Sequence, residues 1–240
     1  MLPQKTEQLW DFLKEQSLLA GFTLIRGSAL ALLIRHRISE DLDFVYCEET
    51  LPKGRLDRLI EEAEQRGFSF VQNDSQAAID EFLQGGLDIR DYQQDFIVNN
   101  SVKVSFFTGE TGLCKVLTPT ANDRPRLATL PELFKTKSLV TARRSKTRDW
   151  LDLYLLFKEH DFSLSDYRAA FIQAGLQAEL ETALNRICSG APQRDDEGYL
   201  HLLKNAPALG EMTAYFQAQR DTLEEKIAAN AFRNKRNDRT

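Results

Sequence analysis

The chain has 240 residues, of which 42% are apolar and 28% charged. That length makes one large domain or two small ones, and that mixture excludes wholesale disorder, a collagen-like repeat and a coiled-coil rod. The formal net charge is −5 at pH 7, but it is spread unevenly.

In chain order, residues 4–20 read as a helix with Leu9, Phe12 and Leu13 at helical spacing and Gly21 as its stop. Phe22 to Ile25 reads as a strand running into Gly27-Ser28, and Ala29 to Arg35 as a helix. Leu42 to Tyr46 is a second strand, and Arg55 to Arg66 an amphipathic helix ending at Gly67. Phe68 to Val71 is a third strand. Asp95–Val98 and Val102–Phe107 flank Asn99-Asn100 as a hairpin. Beyond Leu130 the pattern is helix after helix, near 131–143, 147–159, 164–174, 177–188, 197–205 and 210–229, with a frayed polar tail. The fold class is therefore α+β, a mixed sheet with helices over residues 1–125 followed by an all-helical region over 126–240.

No stretch approaches the roughly 18–20 apolar residues of a membrane span. The opening MLPQKTEQLWDFLKEQ has mixed charge and no apolar core, unlike a signal peptide. A soluble cytoplasmic protein with no membrane contact is expected. Cys47, Cys114 and Cys188 lie far apart, with no metal-binding spacing. They read as buried thiols in a reducing compartment.

Three short pieces carry the chemistry. The first is Gly27-Ser28 at a strand-to-helix step, where backbone N–H groups and a hydroxyl suit phosphate oxygens. The second is Ser39-Glu40-Asp41-Leu42-Asp43. Alternation along a strand puts Asp41 and Asp43 on one face, where paired carboxylates suit Mg²⁺ bridging to substrate phosphates. The third is basic. From Arg124 to Arg148 there are eight Lys/Arg against the single acid Glu132, a local +7 that leaves −12 for the remainder. On one continuous helix, Lys137, Thr141, Arg144, Arg148 and Asp152 would share a face about 80° wide; with a break near Ser145 they stand on two helices. A cationic belt of this kind suits a polyphosphate or an RNA backbone.

Together, FTLIRGSALALLIRHRISEDLDF and KTKSLVTARRSKTRDWLDLYLLF resemble the AbiEii/AbiGii nucleotidyltransferase toxin family of abortive-infection and toxin–antitoxin systems, which has a polymerase-beta-type fold. The two blocks span about 22–46 and 132–158. Gly27-Ser28, a twelve-residue gap, then Asp41-x-Asp43 match the family's first motif, with Arg37 and Ser39 as its Arg-x-Ser lead-in. Lys137, Arg144, Lys146, Arg148, Asp149 and Asp152 match the later block.

The resemblance implies Mg²⁺-dependent transfer of a nucleotidyl group from an NTP to an RNA acceptor, such as tRNA, or to a protein, with a cognate antitoxin as partner. By the same analogy Asp41 and Asp43 hold the metal, and Gly27, Ser28, Arg37 and Ser39 cradle the triphosphate. Lys137 neutralises its charge, Arg144 and Arg148 grip it or the acceptor, and Asp152 is a metal-linked or base-like carboxylate. One departure stands out. Such enzymes commonly carry a third carboxylate on the hairpin strand, where this chain has Ser105. Asp152, Asp88, Asp91 or Asp95 is then its source; with none in place, the protein is a degenerate module that binds NTP or RNA without turnover. Transfer to a small molecule is the third alternative.

Overall fold

A computed structural model describes residues 1–119 and 122–237, with side chains as far as residue 229. The chain divides into two compact units, residues 1–133 and 134–240.

The first unit contains α1 (Gln4–Leu13), β1 (Phe22–Ile25), α2 (Arg26–Ile34), β2 (Leu42–Tyr46), α3 (Lys53–Gln65), β3 (Phe70–Gln72), α4 (Gln76–Gln84), β4 (Gln93–Val98), β5 (Val102–Thr108), α5 (Thr111–Val116) and β6 (Arg126–Leu127). Its strands form one mixed sheet in the order β3-β4-β5-β2-β1-β6. β2 lies parallel to β5 and β6 parallel to β1; the other neighbours are antiparallel. β6 was not expected, and by joining β1 it carries this unit past residue 125 to Leu133. The expected hairpin is present. Asn99 and Asn100 both take positive φ, 48° and 53°, at the centre of a turn closed by the Ser101 N–H donating to the Val98 carbonyl, with Val98 paired to Val102 across it.

Alternation sorts the strands into two faces. One carries Phe22, Leu24, Phe44, Val104, Phe106 and Phe96, all buried, with Phe44 stacked on Phe106 at 5.3 Å and Trp10 of α1 against Phe44. α3 buries Leu56, Leu59 and Ala63, one helical stripe. The other sheet face carries Asp43, Ser105 and Asp95. α4 is an addition to the elements expected from sequence, and it buries no residue.

The expectation of three separate thiols is corrected. Cys47, just past β2, is disulfide-bonded to Cys114 in α5, with Cα atoms 5.6 Å apart. Sequence spacing cannot show this, because the sheet folds residues 67 positions apart onto each other. Gly109 packs against the bridge: a Cβ there would collide with Cys114 Sγ and stand 2.9 Å from Val45 Cγ2. Cys188 is a buried thiol, as expected, and burial pushes its pKa up.

α6 (Leu130–Val140) leads into the second unit, which contains α7 (Thr147–Glu159), α8 (Leu164–Ala174), α9 (Leu180–Ser189) and α10 (Leu209–Asn237). α7 is buried nearly all round, so it is the core of this unit. Phe134 stacks on Phe162 at 4.2 Å, and Phe157 meets Phe216 of α10. Two expectations are corrected. Residues 197–205 form turns, not a helix, and the segment after 229 continues α10 to Asn237 instead of fraying there. The last three residues lie outside the described chain.

Candidate active site

β1 turns into α2 at Arg26, whose φ is +66°. The next residue, Gly27, has no room for a side chain, because a Cβ would stand 2.7 Å from Ser39 Oγ and 2.9 Å from Arg37 Nη2. The Ser28 hydroxyl donates to the Asp41 carbonyl and lies 3.1 Å from the Ser39 hydroxyl. Arg37 is buried, one guanidinium N–H donating to the Ile38 carbonyl at 2.8 Å. α2 is nine residues long, enough to return the chain so that Arg37 and Ser39 close on the Gly-Ser step. Gly27, Ser28, Arg37 and Ser39 are thus gathered at one corner, a cation and hydroxyls beside a helix N-terminus. That combination favours an anion.

The loop from Ser39 runs straight into β2. Asp41 lies just ahead of the strand and is exposed, while Asp43 is on it and buried. The picture of both aspartates on strand positions is corrected to that extent. Asp43 is paired with Arg26, Nη1 to Oδ1 at 2.6 Å. Across the sheet Asp43 registers with Ser105, and Ser105 with Asp95. Registered partners point to the same face, so these three side chains form a polar row opposite the aromatic core.

Of the four residues offered as the third carboxylate, Asp88 and Asp91 are on the surface and share Lys53, at 3.1 and 2.6 Å. Asp152 belongs to the second unit. Asp95 is the one on the row. Its Oδ2 accepts from Gln93 at 3.1 Å and lies 3.5 Å from Lys103 Nζ, while its Oδ1 is buried without a hydrogen-bond partner. A buried carboxylate oxygen with nothing to accept from is costly in a purely structural role.

These residues fit a divalent cation. Asp43 already holds a cationic group, the neighbouring Asp41 carboxylate is exposed, and both are hard oxygen donors. Among the described residues no three His, Cys, Asp or Glu side chains cluster tightly enough to hold a metal by themselves. Mg²⁺ commonly uses one or two carboxylates and takes its remaining ligands from water and substrate phosphates.

In the second unit the helix breaks after Val140 and restarts at Thr147, so the later motif stands on two helices. Lys137 of α6 reaches both Asp149 Oδ1 at 2.8 Å and Asp152 Oδ2 at 2.5 Å on α7. Arg144 completes the group, with Nε 2.8 Å from Asp149 Oδ2. Burial pushes the Asp149 carboxyl up, and the Lys137 and Arg144 charges outweigh it, so it titrates below the ordinary range. Two cations and two carboxylates make this cluster neutral, and Lys137 is spent within it.

The basic belt is compensated in the same way. Arg126 is paired with Glu132, Lys146 and Arg148 with Glu197, and Arg143 faces Glu179 at 3.8 Å. Asp196 accepts from the Thr147 backbone N–H and hydroxyl, capping α7. These acids lie up to 51 positions from their partners, which is why a local charge count reads the belt as unopposed. Arg26 and the acids of 193–197 were the residues not singled out from sequence. The only linear sign of Arg26 is an arginine next to the Gly-Ser step.

The model of the family described as "Nucleotidyl transferase AbiEii toxin, Type IV TA system" matches residues 10–237. No curated protein matches the chain. Among solved structures, the Helicobacter pylori protein JHP933 is similar at 17% identity and TM-score 0.47, covering 97% of this chain and 100% of that one. A Helicobacter pylori chain proposed to be a nucleotidyltransferase is similar at 17% identity and TM-score 0.48, covering 95% and 98%.

Proposed function

The chain belongs to the AbiEii nucleotidyltransferase toxin family of type IV toxin–antitoxin systems, and from that premise we propose that it moves a nucleotidyl group from an NTP to a hydroxyl of an RNA or protein acceptor, breaking the α–β phosphoanhydride bond and releasing pyrophosphate. The observation that carries this reading is the corner where Gly27, Ser28, Arg37 and Ser39 converge beside Asp41 and Asp43. There the first N–H groups of α2 and the Arg37 guanidinium bind the β- and γ-phosphates, with Ser39 orienting them. Asp41 and Asp43 hold Mg²⁺; the chemistry it supplies when bound is polarisation of the α-phosphate and acidification of the attacking hydroxyl.

Asp95 accepts the proton from that hydroxyl, replacing the carboxylate missing at Ser105. The Lys137–Asp149–Asp152 cluster holds α6 to α7. The partner is an antitoxin, as the type IV toxin–antitoxin family implies. Among the described residues no helix is long and apolar enough to cross a membrane.

One observation favours a second reading. Ser105 stands directly beside Asp43, and a hydroxyl cannot serve as a base at neutral pH. Without Asp95 in the role given above, the protein binds NTP and does not turn it over.

The test is incubation with Mg²⁺, each of four α-³²P-labelled NTPs and total bacterial RNA, with an Asp41→Ala, Asp43→Ala double variant as control. Label in a discrete RNA band, from the unaltered protein only, supports RNA transfer and names the nucleotide. Label in protein moves the acceptor to proteins. No label, with NTP still bound in calorimetry, supports the second reading. Asp95→Asn, expected to keep its fold and lose label, tests the base. Charge reversal at Arg143 and Lys146, which spares the Arg144–Asp149 pair, separates an RNA acceptor from a small molecule.

A further inference from the structure

We propose that Arg26 is the resident counter-cation of Asp43 and becomes a triphosphate ligand when a divalent cation takes its place. This rests on the NTP-binding reading given above. The backbone supplies the first reason. Arg26 has φ +66°, a conformation that side chains bearing a Cβ rarely adopt and that persists where surrounding contacts enforce it. Those contacts are specific. Its Nη1 lies 2.6 Å from Asp43 Oδ1, and its guanidinium stands 4.7 Å above the Phe107 ring. Phe107 shares the polar sheet face with Ser105, two residues along β5. The strained turn therefore delivers one cation to one carboxylate.

The second reason is exposure. The Arg26 side chain is 45% exposed while that of Asp43 is 13% exposed. The guanidinium can leave Asp43 for water or phosphate without emptying a buried site, and the carboxylate stays where it is. The third is charge. A bare divalent cation approaching Asp43 must displace Arg26 and leave it unpaired. A metal–triphosphate satisfies both groups at once, with the metal on Asp43 and phosphate oxygens on the guanidinium fork. Arg26 sits one residue before the Gly-Ser step and so stands beside the phosphates it would receive. It makes the site poor for free cation and good for the cation–nucleotide pair.

Two measurements move in opposite directions if this is right. Mn²⁺ binding without nucleotide, followed by electron paramagnetic resonance, should tighten about tenfold in Arg26→Gln, because the competing cation is gone. Binding of α,β-methylene NTPs in Mg²⁺ should weaken by a similar factor in the same variant. Arg26→Lys, which keeps the charge but not the fork, should bind Mn²⁺ nearly as weakly as the unaltered protein. Thermal melts confirm that each variant is folded.

Mn²⁺ affinity unchanged or lower in folded Arg26→Gln overturns the proposal, as does no Mn²⁺ binding by either protein. Mn²⁺ binding that tightens while NTP affinity is unchanged overturns the phosphate-ligand half. Tightened Mn²⁺ binding with no NTP bound by either protein upholds the counter-cation and overturns the nucleotidyltransferase reading. The two failures are thereby distinguishable.

Discussion

The Arg37 guanidinium closes on Gly27 so tightly that a Cβ there would stand 2.9 Å from Nη2, with Ser39 Oγ nearer still at 2.7 Å. Neither neighbour retreats easily, since Arg37 is buried and Ser39 is in contact with the Ser28 hydroxyl. Gly27→Ala should therefore cost about 1–3 kcal/mol in stability, as overpacking does, and should weaken NTP binding. Gly54 in α3 has nothing within 4 Å of its Cβ position, so Gly54→Ala should be neutral or slightly stabilising. Urea titration and nucleotide calorimetry on both variants check the contrast.

The Lys137 cluster makes a second prediction, because removing one partner of a buried ionic group leaves the others uncompensated. Lys137→Met removes the ammonium that bridges Asp149 and Asp152, both fully buried, leaves Asp149 with Arg144 alone of the two cations, and should cost about 3–5 kcal/mol. The Lys137→Met, Asp152→Asn double variant should recover part of that loss. A denaturation cycle over the two singles and the double measures the coupling. Strictly additive losses would show that the pair does not interact.

A third prediction concerns acid. Glu132, in the first turn of α6, takes two N–H donors and the Thr129 hydroxyl, and is bridged by Arg126 at 2.8 and 2.9 Å. Burial pushes its carboxyl up, but these donors prevail and hold it at about 2 against an ordinary 4.5. The folded pKa is depressed, so the stabilisation is present above about pH 4.5 and is lost as pH falls through about 2. Glu132→Gln should be less stable at pH 7 by on the order of 2 kcal/mol, with solvent screening allowed for. That gap should narrow steadily below pH 4.5. Chemical denaturation from pH 7 to pH 2 would show it.

The Cys47–Cys114 bridge closes a 67-residue separation, a constraint worth about 4 kcal/mol on chain-entropy grounds. Non-reducing peptide mapping should find the two half-cystines in one cross-linked fragment. Dithiothreitol, or Cys47→Ser, should lower the denaturation midpoint. A map showing both cysteines alkylated in the native protein would remove the bridge and this prediction with it.

Features that depend on near neighbours are legible in one dimension. Alternation placed β1, β2 and the β4–β5 hairpin, since apolar and polar positions must change side residue by residue. Gly27-Ser28 and Asp41-x-Asp43 were legible because a short helix returns the chain within a few turns. Lys137 to Asp152 was legible as a motif, and the helix break near Ser145 stood among the alternatives. The remaining features follow from long-range packing. Parallel pairing of β2 with β5 put Ser105 beside Asp43, and the hairpin then put Asp95 beyond it. Glu197 and Asp196 neutralised and capped a belt that looks bare in one dimension. Cys47 met Cys114, and Arg26 took a left-handed turn onto Asp43. Each of these depends on which distant segment is packed alongside, and local propensity carries no information about that choice.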